Sequence, residues 1–285
     1  MIDLLLEPLT YGFVQRGLAV TLVASIVCAL LSCWLVLIGW SLMGDAVSHA
    51  VLPGVVLAYA FALPFALGAL VFGLGAVALI GGVRDTTKLK EDTAIGVVFT
   101  SLFALGLVLV SVTPSQVDLT HILFGNVLGV SGQDVLLVGV SGALVAATLL
   151  LRRRDLTLYA FDPTHAHAVG ISPRRISALL LALLAVTVVV ALQAVGVILV
   201  VAMLIIPGAT AYLLTTRMAR MLVIAPVMAS ACAVVGFVAS YALDASAAGC
   251  VVVAQGLVFT LAYASVRVRG HLRTRQVAVV HARVS

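Results

Sequence analysis

Long apolar stretches follow one another along this 285-residue sequence from Leu18 to Val266. A helix needs about 20 predominantly apolar residues to cross a bilayer, and many of the stretches reach that length. Charged residues make up 9% of the chain and AVILMFWYC residues 63%, whereas a soluble domain has roughly 25% charged residues. Little of the chain is left for a folded soluble domain. The sequence therefore predicts an all-α protein, a polytopic transmembrane helical bundle.

Polar residues divide the apolar stretches into about nine spans. Two divisions, at Leu63-Pro64 and from Gln193 to Gly196, leave almost no loop, so the count could also be eight or ten. The first span is too long for a signal-peptide core, and we expect it to be retained. We expect an N-terminal segment (1–16), a transmembrane domain (17–267) and a basic cytoplasmic tail (268–285). The predicted spans lie near 17–40, 46–62, 64–83, 94–112, 132–151, 176–193, 195–215, 222–242 and 250–267.

Lys and Arg residues are distributed unevenly between the connections. Fifteen of the 16 lie in the 84–92 loop, in the 152–175 loop, just after span seven, or in the tail. With nine spans these four regions fall on one side, which the positive-inside rule makes cytoplasmic. The net charge of +5 is thus explained by membrane topology and does not indicate a nucleic-acid partner.

An acidic residue and a histidine stand four positions apart in the second predicted span, as Asp45 and His49. On a helix this spacing places both side chains on one face, about 6 Å apart, so that both could contact one cation. Ser48 is near enough to add a hydroxyl group. Gly44 before the pair and Pro53-Gly54 after it indicate a helix that begins inside the protein, where its positive N-terminal dipole favours a carboxylate.

Ionisable side chains inside a membrane are costly unless they are paired or hydrated, so this pair is a candidate functional site. A carboxylate oxygen with an imidazole nitrogen suits manganese, ferrous iron or zinc, and does not suit copper(I). A second interpretation remains open, in which Asp45 and His49 bond to each other and hold a neighbouring helix. Asp244, at the end of span eight, could be an interface anchor, a helix cap or a ligand. Asp118 and His121 could meet an incoming metal ion or simply be solvated loop residues.

The cytoplasmic segment 160–175 has the residues of a short capped helix. Asp162 is a suitable N-cap, Pro163 a suitable first helical residue and Gly170 a suitable stop. A short helix of this kind, flanked by Arg174 and Arg175, would be a natural docking element for a partner protein. His165 and His167 do not share a helix face and do not indicate a metal site. The sequence has no G-x-x-x-x-G-K-[ST] phosphate loop, so the chain does not hydrolyse ATP by that device and is not predicted to be an enzyme.

Four motifs in order resemble the metal-permease family of ABC importers, especially its manganese and iron branch. The resemblance extends over nearly all of the chain up to about residue 267. The matching stretches are Ser41-Leu-Met-Gly-Asp-Ala-Val-Ser-His-Ala-Val-Leu-Pro-Gly-Val-Val-Leu-Ala-Tyr59, Glu91-Asp-Thr-Ala-Ile-Gly-Val-Val-Phe99, His121-Ile-Leu-Phe-Gly-Asn126 and Gly196-Val-Ile-Leu-Val-Val-Ala-Met-Leu-Ile-Ile-Pro-Gly208.

The resemblance implies a permease that lies in a prokaryotic cell (inner) membrane and pairs with a second permease copy. It also implies two cytoplasmic ATPase subunits, and an extracellular lipoprotein or periplasmic protein that delivers the metal. The transported ion would be manganese, or else iron or zinc, with no permanently bound cofactor. A proton-coupled secondary metal transporter is the alternative.

The resemblance assigns roles to particular residues. Asp45, His49 and Asp244 would line the metal path. The sequence after Asp244 departs from the family, because Ala245-Ser-Ala-Ala-Gly249 replaces a Pro-Ser-Gly type sequence. The segment from Pro163 to Arg175 is similar to the coupling helix of vitamin B12 and siderophore permeases, so we expect a coupling helix at about 162–175.

Overall fold

The computed structural model of the chain describes residues 11–113 and 129–284, with side chains up to residue 269. Within these ranges the secondary structure is helical and contains no strand. The helices, in chain order, are α1 (Gly12–Ile38), α2 (Met43–Ala50), α3 (Leu52–Ala60), α4 (Phe65–Thr86), α5 (Glu91–Val112), α6 (Gly132–Leu151), α7 (Arg153–Phe161), α8 (Pro163–Ala168), α9 (Pro173–Val195), α10 (Val197–Leu214), α11 (Met218–Leu243) and α12 (Ala247–Val284).

The prediction of nine spans is confirmed for the described part of the chain. Nine segments are long and apolar enough to cross a membrane, with α2 and α3 together forming the second. The two divisions without a loop are single tight turns, at Ala62 with φ of 51° and at Gly196 with φ of 81°. Each turn puts one residue in a left-handed conformation, which ends a helix abruptly.

The spans alternate in direction, so their connections collect at two ends of the bundle. The connections 39–42, 87–90, 152–172 and 215–217 lie at one end, which we call the basic end because Lys and Arg flank or occupy most of them. The connections 61–64, 196 and 244–246 lie at the opposite end and carry no Lys or Arg. This arrangement follows the predicted sidedness.

The core of the bundle is formed by α1, the broken span α2–α3, α9 and α10, each with more than half of its residues buried. Helices α4, α5, α6 and α12 lie at the periphery, with less than a third of their spanning residues buried. The most extensive pairing is between α1 and α10. Without a hydrophobic driving force in lipid, such pairs depend on close packing of small residues and on interhelical hydrogen bonds.

One such contact joins Ser32 of α1 to the kink of α10. Pro207 has no backbone N–H and interrupts the hydrogen bonds of α10. The next residue, Gly208, donates its N–H to the Ser32 hydroxyl over 3.0 Å, and this hydroxyl donates to the Ile205 carbonyl over 3.3 Å. A Cβ atom on Gly208 would overlap Ser32, so only glycine permits this approach.

At three places the helix bounds differ from the predicted spans. The first span begins at Gly12, so residues assigned to the segment 1–16 are already helical from there. The coupling helix predicted over 162–175 is shorter, because α8 ends at Ala168, Gly170 adopts φ of 87° and Pro173 starts α9. The last helix continues through the tail as far as Val284. Helix α7, between α6 and α8, is not among the elements that the sequence predicts.

Candidate functional site

Helix α2 begins inside the bundle, as the glycine and proline pattern predicts. Gly39 ends α1 with φ of 93°, and its N–H and that of Trp40 bond back to the Leu35 carbonyl. The chain then turns, and Gly44 packs directly on Leu204, the eighth of the 18 residues of α10. A Cβ atom on Gly44 would lie 2.7 Å from Leu204 Cδ1, so a larger residue would push α2 away from α10. The start of α2 is thus fixed near the middle of a neighbouring span.

Asp45 and His49 lie one turn apart on α2 and contact each other. His49 Nε2 is 3.4 Å from Asp45 Oδ1. Asp45 is in the first turn of α2, where the positive end of the helix dipole favours a negative charge. The residues between them are buried, so the pair occupies the one open face of this helix.

Two aromatic rings of α5 form a wall beside His49. Its ring centroid is 5.5 Å from that of Phe99 and 5.2 Å from that of Phe103. These are the ninth and thirteenth residues of the 22-residue helix α5. The histidine therefore lies at about half the height of its neighbour, away from both ends of the bundle.

The pair is only partly enclosed by its own chain, since the His49 side chain is 23% exposed and that of Asp45 36%. Ser48 is different: it is buried, and its hydroxyl donates to the Gly44 carbonyl over 2.8 Å. Its proton is thus engaged within the helix. An ionisable pair that is open at this depth would be costly against lipid, so its open side requires water or another protein surface.

The pair can supply one carboxylate and one imidazole ligand, which is fewer than the four to six that a transition metal takes. Among the described residues, no group of three or more His, Cys, Asp or Glu side chains is placed to hold a metal ion. A metal ion at Asp45 and His49 would have to complete its coordination with water or with groups from outside this chain.

Asp244 is not brought together with the pair. It is exposed in the turn between α11 and α12, at the opposite end, and adopts φ of 50° as the C-cap of α11. The Ala245 N–H bonds back to the Ser240 carbonyl over 2.9 Å, which closes the turn. Asp244 thus occupies the C-cap position of α11. Asp118, His121 and the motif 121–126 lie outside the described residues.

The segment 160–175 has the predicted capped helix. Asp162 accepts a hydrogen bond from the His165 N–H over 2.9 Å, and Pro163 is in the first turn of α8. Arg174 and Arg175 are exposed in the first turn of α9 and outside α8. Arg174 Nη2 is 3.6 Å from Asp85 Oδ2, which connects α9 to the end of α4.

Sequence reasoning missed a cluster around Arg84 at the basic end. Its guanidinium pairs with Asp85 over 3.1 Å and with Glu91 over 3.2 Å, and stacks over the Trp40 ring at 5.5 Å. Trp40 is buried in the turn that leads into α2, and Tyr159 of α7 packs edge-on against it. The sequence shows Arg84 close to two acidic residues, Asp85 and Glu91, which indicates an ion pair. Nothing in the sequence connects these residues to Trp40.

A family profile described as the ABC 3 transport family matches residues 10–266. The chain is 51% identical to the manganese transport system membrane protein MntB of Synechocystis sp., over 90% of this chain and 84% of the relative. It is 48% identical to a probable iron transport system membrane protein of Haemophilus influenzae, over 94% of this chain and 100% of the relative. Among solved structures, PsaBC from Streptococcus pneumoniae in complex with Fab aligns with a TM-score of 0.83 at 37% identity, over 92% of this chain and 95% of that one.

Proposed function

The chain belongs to the ABC 3 transport family, and from this premise we propose that Asp45 and His49 bind the metal ion that it carries across the membrane. The chain is the membrane-spanning permease subunit of an ATP-binding-cassette importer for metal ions. It is not itself an enzyme, since ATP hydrolysis belongs to a separate subunit.

The observation that carries the metal-site proposal is the position of the pair. A carboxylate and an imidazole lie 3.4 Å apart on one helix face, at half the height of α5, with the remaining faces of α2 packed. The purely structural interpretation, in which the pair bonds within its helix and holds a neighbouring one, accounts for the packing of His49 on Phe99 and Phe103. It does not account for the open side of the pair, where Asp45 is 36% and His49 23% exposed, and this open side supports the metal-binding interpretation.

Manganese is the proposed cargo, with iron and zinc as the competing ions. The relative named for manganese transport is 51% identical and the one named for iron transport 48%. Both ions accept mixed oxygen and nitrogen ligands, as the pair provides. The ion is a transported substrate, and the proposal includes no permanently bound cofactor.

The open side of the pair leads to the proposed assembly. A second permease copy would face Asp45 and His49 and enclose a central path. An extracellular metal-binding lipoprotein or periplasmic protein would dock at the opposite end, near Asp244, and release the ion into that path. Two ATPase subunits would dock at the basic end on α8, through the segment from Asp162 to Gly170, with Arg174 and Arg175 beside it. The proposed site of action is a prokaryotic cell (inner) membrane.

In this mechanism the pair takes an ion that has lost part of its water shell. ATP binding and hydrolysis on the partner subunits move α8, and the bundle then opens at the basic end and closes at the other. The domain limits that we propose are 17–267 for the transmembrane permease and 268–285 for the tail. A proton-coupled secondary transporter, in which Asp45 and His49 relay protons, is not favoured by membership of this family.

The test is metal uptake by proteoliposomes that contain the full complex. Wild type is compared with Asp45→Asn and His49→Gln, which keep side-chain size, for manganese, ferrous iron and zinc. Ser48→Ala is the matched control, because Ser48 is on the same helix and its hydroxyl is bonded within it. We expect both site variants to assemble with the ATPase but to lose uptake, and the control to retain it.

Normal uptake by both site variants would show that Asp45 and His49 are structural, while the family assignment would stand. If Ser48→Ala also loses uptake, any change in α2 disrupts transport, and the losses in the two site variants do not identify a metal site. The ion with the highest uptake per ATP hydrolysed by wild type identifies the substrate.

A further inference from the structure

A groove of about 500 Å³ opens at the basic end, between α7 and the first turns of α11. One part of its lining is cationic, with Arg153 and Arg154. Another part is apolar, with Leu158 and Phe161 from α7 and Met218 and Leu222 from α11. Phe161 is 61% exposed and belongs to the apolar part of this lining.

The two arginines have no acidic partner in the described part of the chain. Their neighbour Arg152 differs, since it pairs with Asp155 over 3.1 Å. Arg217 and Arg220, which are adjacent in sequence to the lining residues Met218 and Ala219 of α11, add positive charge. The groove is therefore an anion-attracting site whose charge no acidic side chain among the described residues balances.

The groove lies at the level where the spans meet the basic connections. Helix α6 ends at Leu151, directly before α7, and α11 starts its own span at Met218. In a bilayer this is the level of the headgroups, with acyl chains beginning immediately below it. Arginines at that level next to an apolar cleft are typical of sites for anionic lipid headgroups.

We propose that this groove binds an anionic glycerophospholipid of the cytoplasmic leaflet. Arg153 and Arg154 bind the phosphodiester, and an acyl chain covers Phe161 and Leu222. A lipid matches both parts of the lining, the cationic rim and the apolar wall. The proposal depends on the basic end being cytoplasmic, and it does not depend on Asp45 and His49.

The test is native mass spectrometry of the purified full-length chain, titrated with dioleoyl phosphatidylglycerol or dioleoyl phosphatidylcholine. We expect phosphatidylglycerol to be retained and phosphatidylcholine to be lost. The double variant Arg153→Gln/Arg154→Gln should bind phosphatidylglycerol about thirtyfold more weakly, from the typical contribution of two arginines near an anionic surface. The matched control is Arg267→Gln/Arg269→Gln, which removes the same charge from the same end and should bind as wild type.

Equal retention of the two lipids by wild type would overturn the proposal, and so would equal loss of binding in the two double variants. Glycerol 1-phosphate serves as a headgroup without acyl chains. If it competes as well as the lipid, the site is a free-anion site and the lipid assignment is wrong. If Arg153→Gln/Arg154→Gln keeps its lipid but no longer copurifies with the ATPase subunit, the groove belongs to the protein partner and the proposal is again wrong.

Discussion

His49 lies between the carboxylate of Asp45 and the rings of Phe99 and Phe103. Asp45 Oδ1 and His49 Nε2 lie 3.4 Å apart, near enough for both to contact one ion. The two rings limit the movement of the imidazole and exclude water from that side. The pair is therefore preorganised on one side and open on the other, which suits an ion that must both enter and leave.

If the two side chains bind one ion, their removal should not be additive. Asp45→Asn and His49→Gln should each lower uptake by at least about tenfold, since changes to the partners of metal ligands alone commonly cost that much. The double variant should take up metal no more slowly than the slower of the two single variants, because the loss of either ligand already abolishes the site. The measurement is initial uptake rate across the four proteins of the cycle. Multiplying losses would show that the residues act at separate sites.

At the scale of helices, the packing of α10 on α1 depends on the hydrogen bonds of Ser32 and on the absence of a side chain at Gly208. Gly208→Ala should destabilise the bundle by about 1 to 3 kcal/mol, the usual cost of overpacking. Gly75→Ala is the matched control, since Gly75 is also helical and has no atom within 4 Å of its Cβ position. The measurement is thermal unfolding in detergent. Equal midpoints for the two variants would show that α10 shifts freely.

Helix α8, where we propose that the ATPase docks, has six residues and therefore depends strongly on its cap. Asp162→Ala removes the acceptor of the His165 N–H and should cost about 1 kcal/mol of helix stability, whereas Asp162→Asn keeps an equally good cap. We therefore expect Asp162→Ala to weaken ATPase copurification and Asp162→Asn to retain it. If the two variants copurify alike, the charge or position of the helix matters more than its cap.

Asp45, His49 and the cap of α8 could be predicted because each depends on local spacing. Periods of 3.6 residues and capping residues determine which side chains share a helix face before any tertiary contact forms. The wall of Phe99 and Phe103 and the stacking of Arg84 on Trp40 could not be predicted, because each joins elements that are distant in the sequence. Gly170 as the stop of α8 also follows from local sequence, whereas the resemblance to a coupling helix extends to Arg175 and so includes the first turn of α9, which begins at Pro173.

At the scale of the whole molecule, a chain of contacts joins the start of α9 to the turn before Asp45 and His49. Arg174 contacts Asp85, Asp85 contacts Arg84, and Arg84 stacks over Trp40. Trp40 is buried in the turn that immediately precedes α2, and Asp45 is in the first turn of that helix. A movement of α8 and α9 driven by the ATPase would therefore have a short route to the metal pair.

Arg84→Gln should uncouple the two ends without preventing assembly. Arg84 is 26% exposed, and its two ion pairs are not deeply buried, so the loss of stability should be small. Uptake per ATP hydrolysed should fall about 2- to 30-fold, the range that residues between coupled sites typically produce. Lys88→Gln is the matched control, because Lys88 is exposed in the neighbouring connection and has no ion pair in the described part of the chain. The measurement is the ratio of metal uptake to ATP hydrolysis in proteoliposomes that contain the full complex. A ratio equal to that of wild type, with both rates lowered together, would mean that Arg84 supports assembly and that the contacts do not transmit the movement.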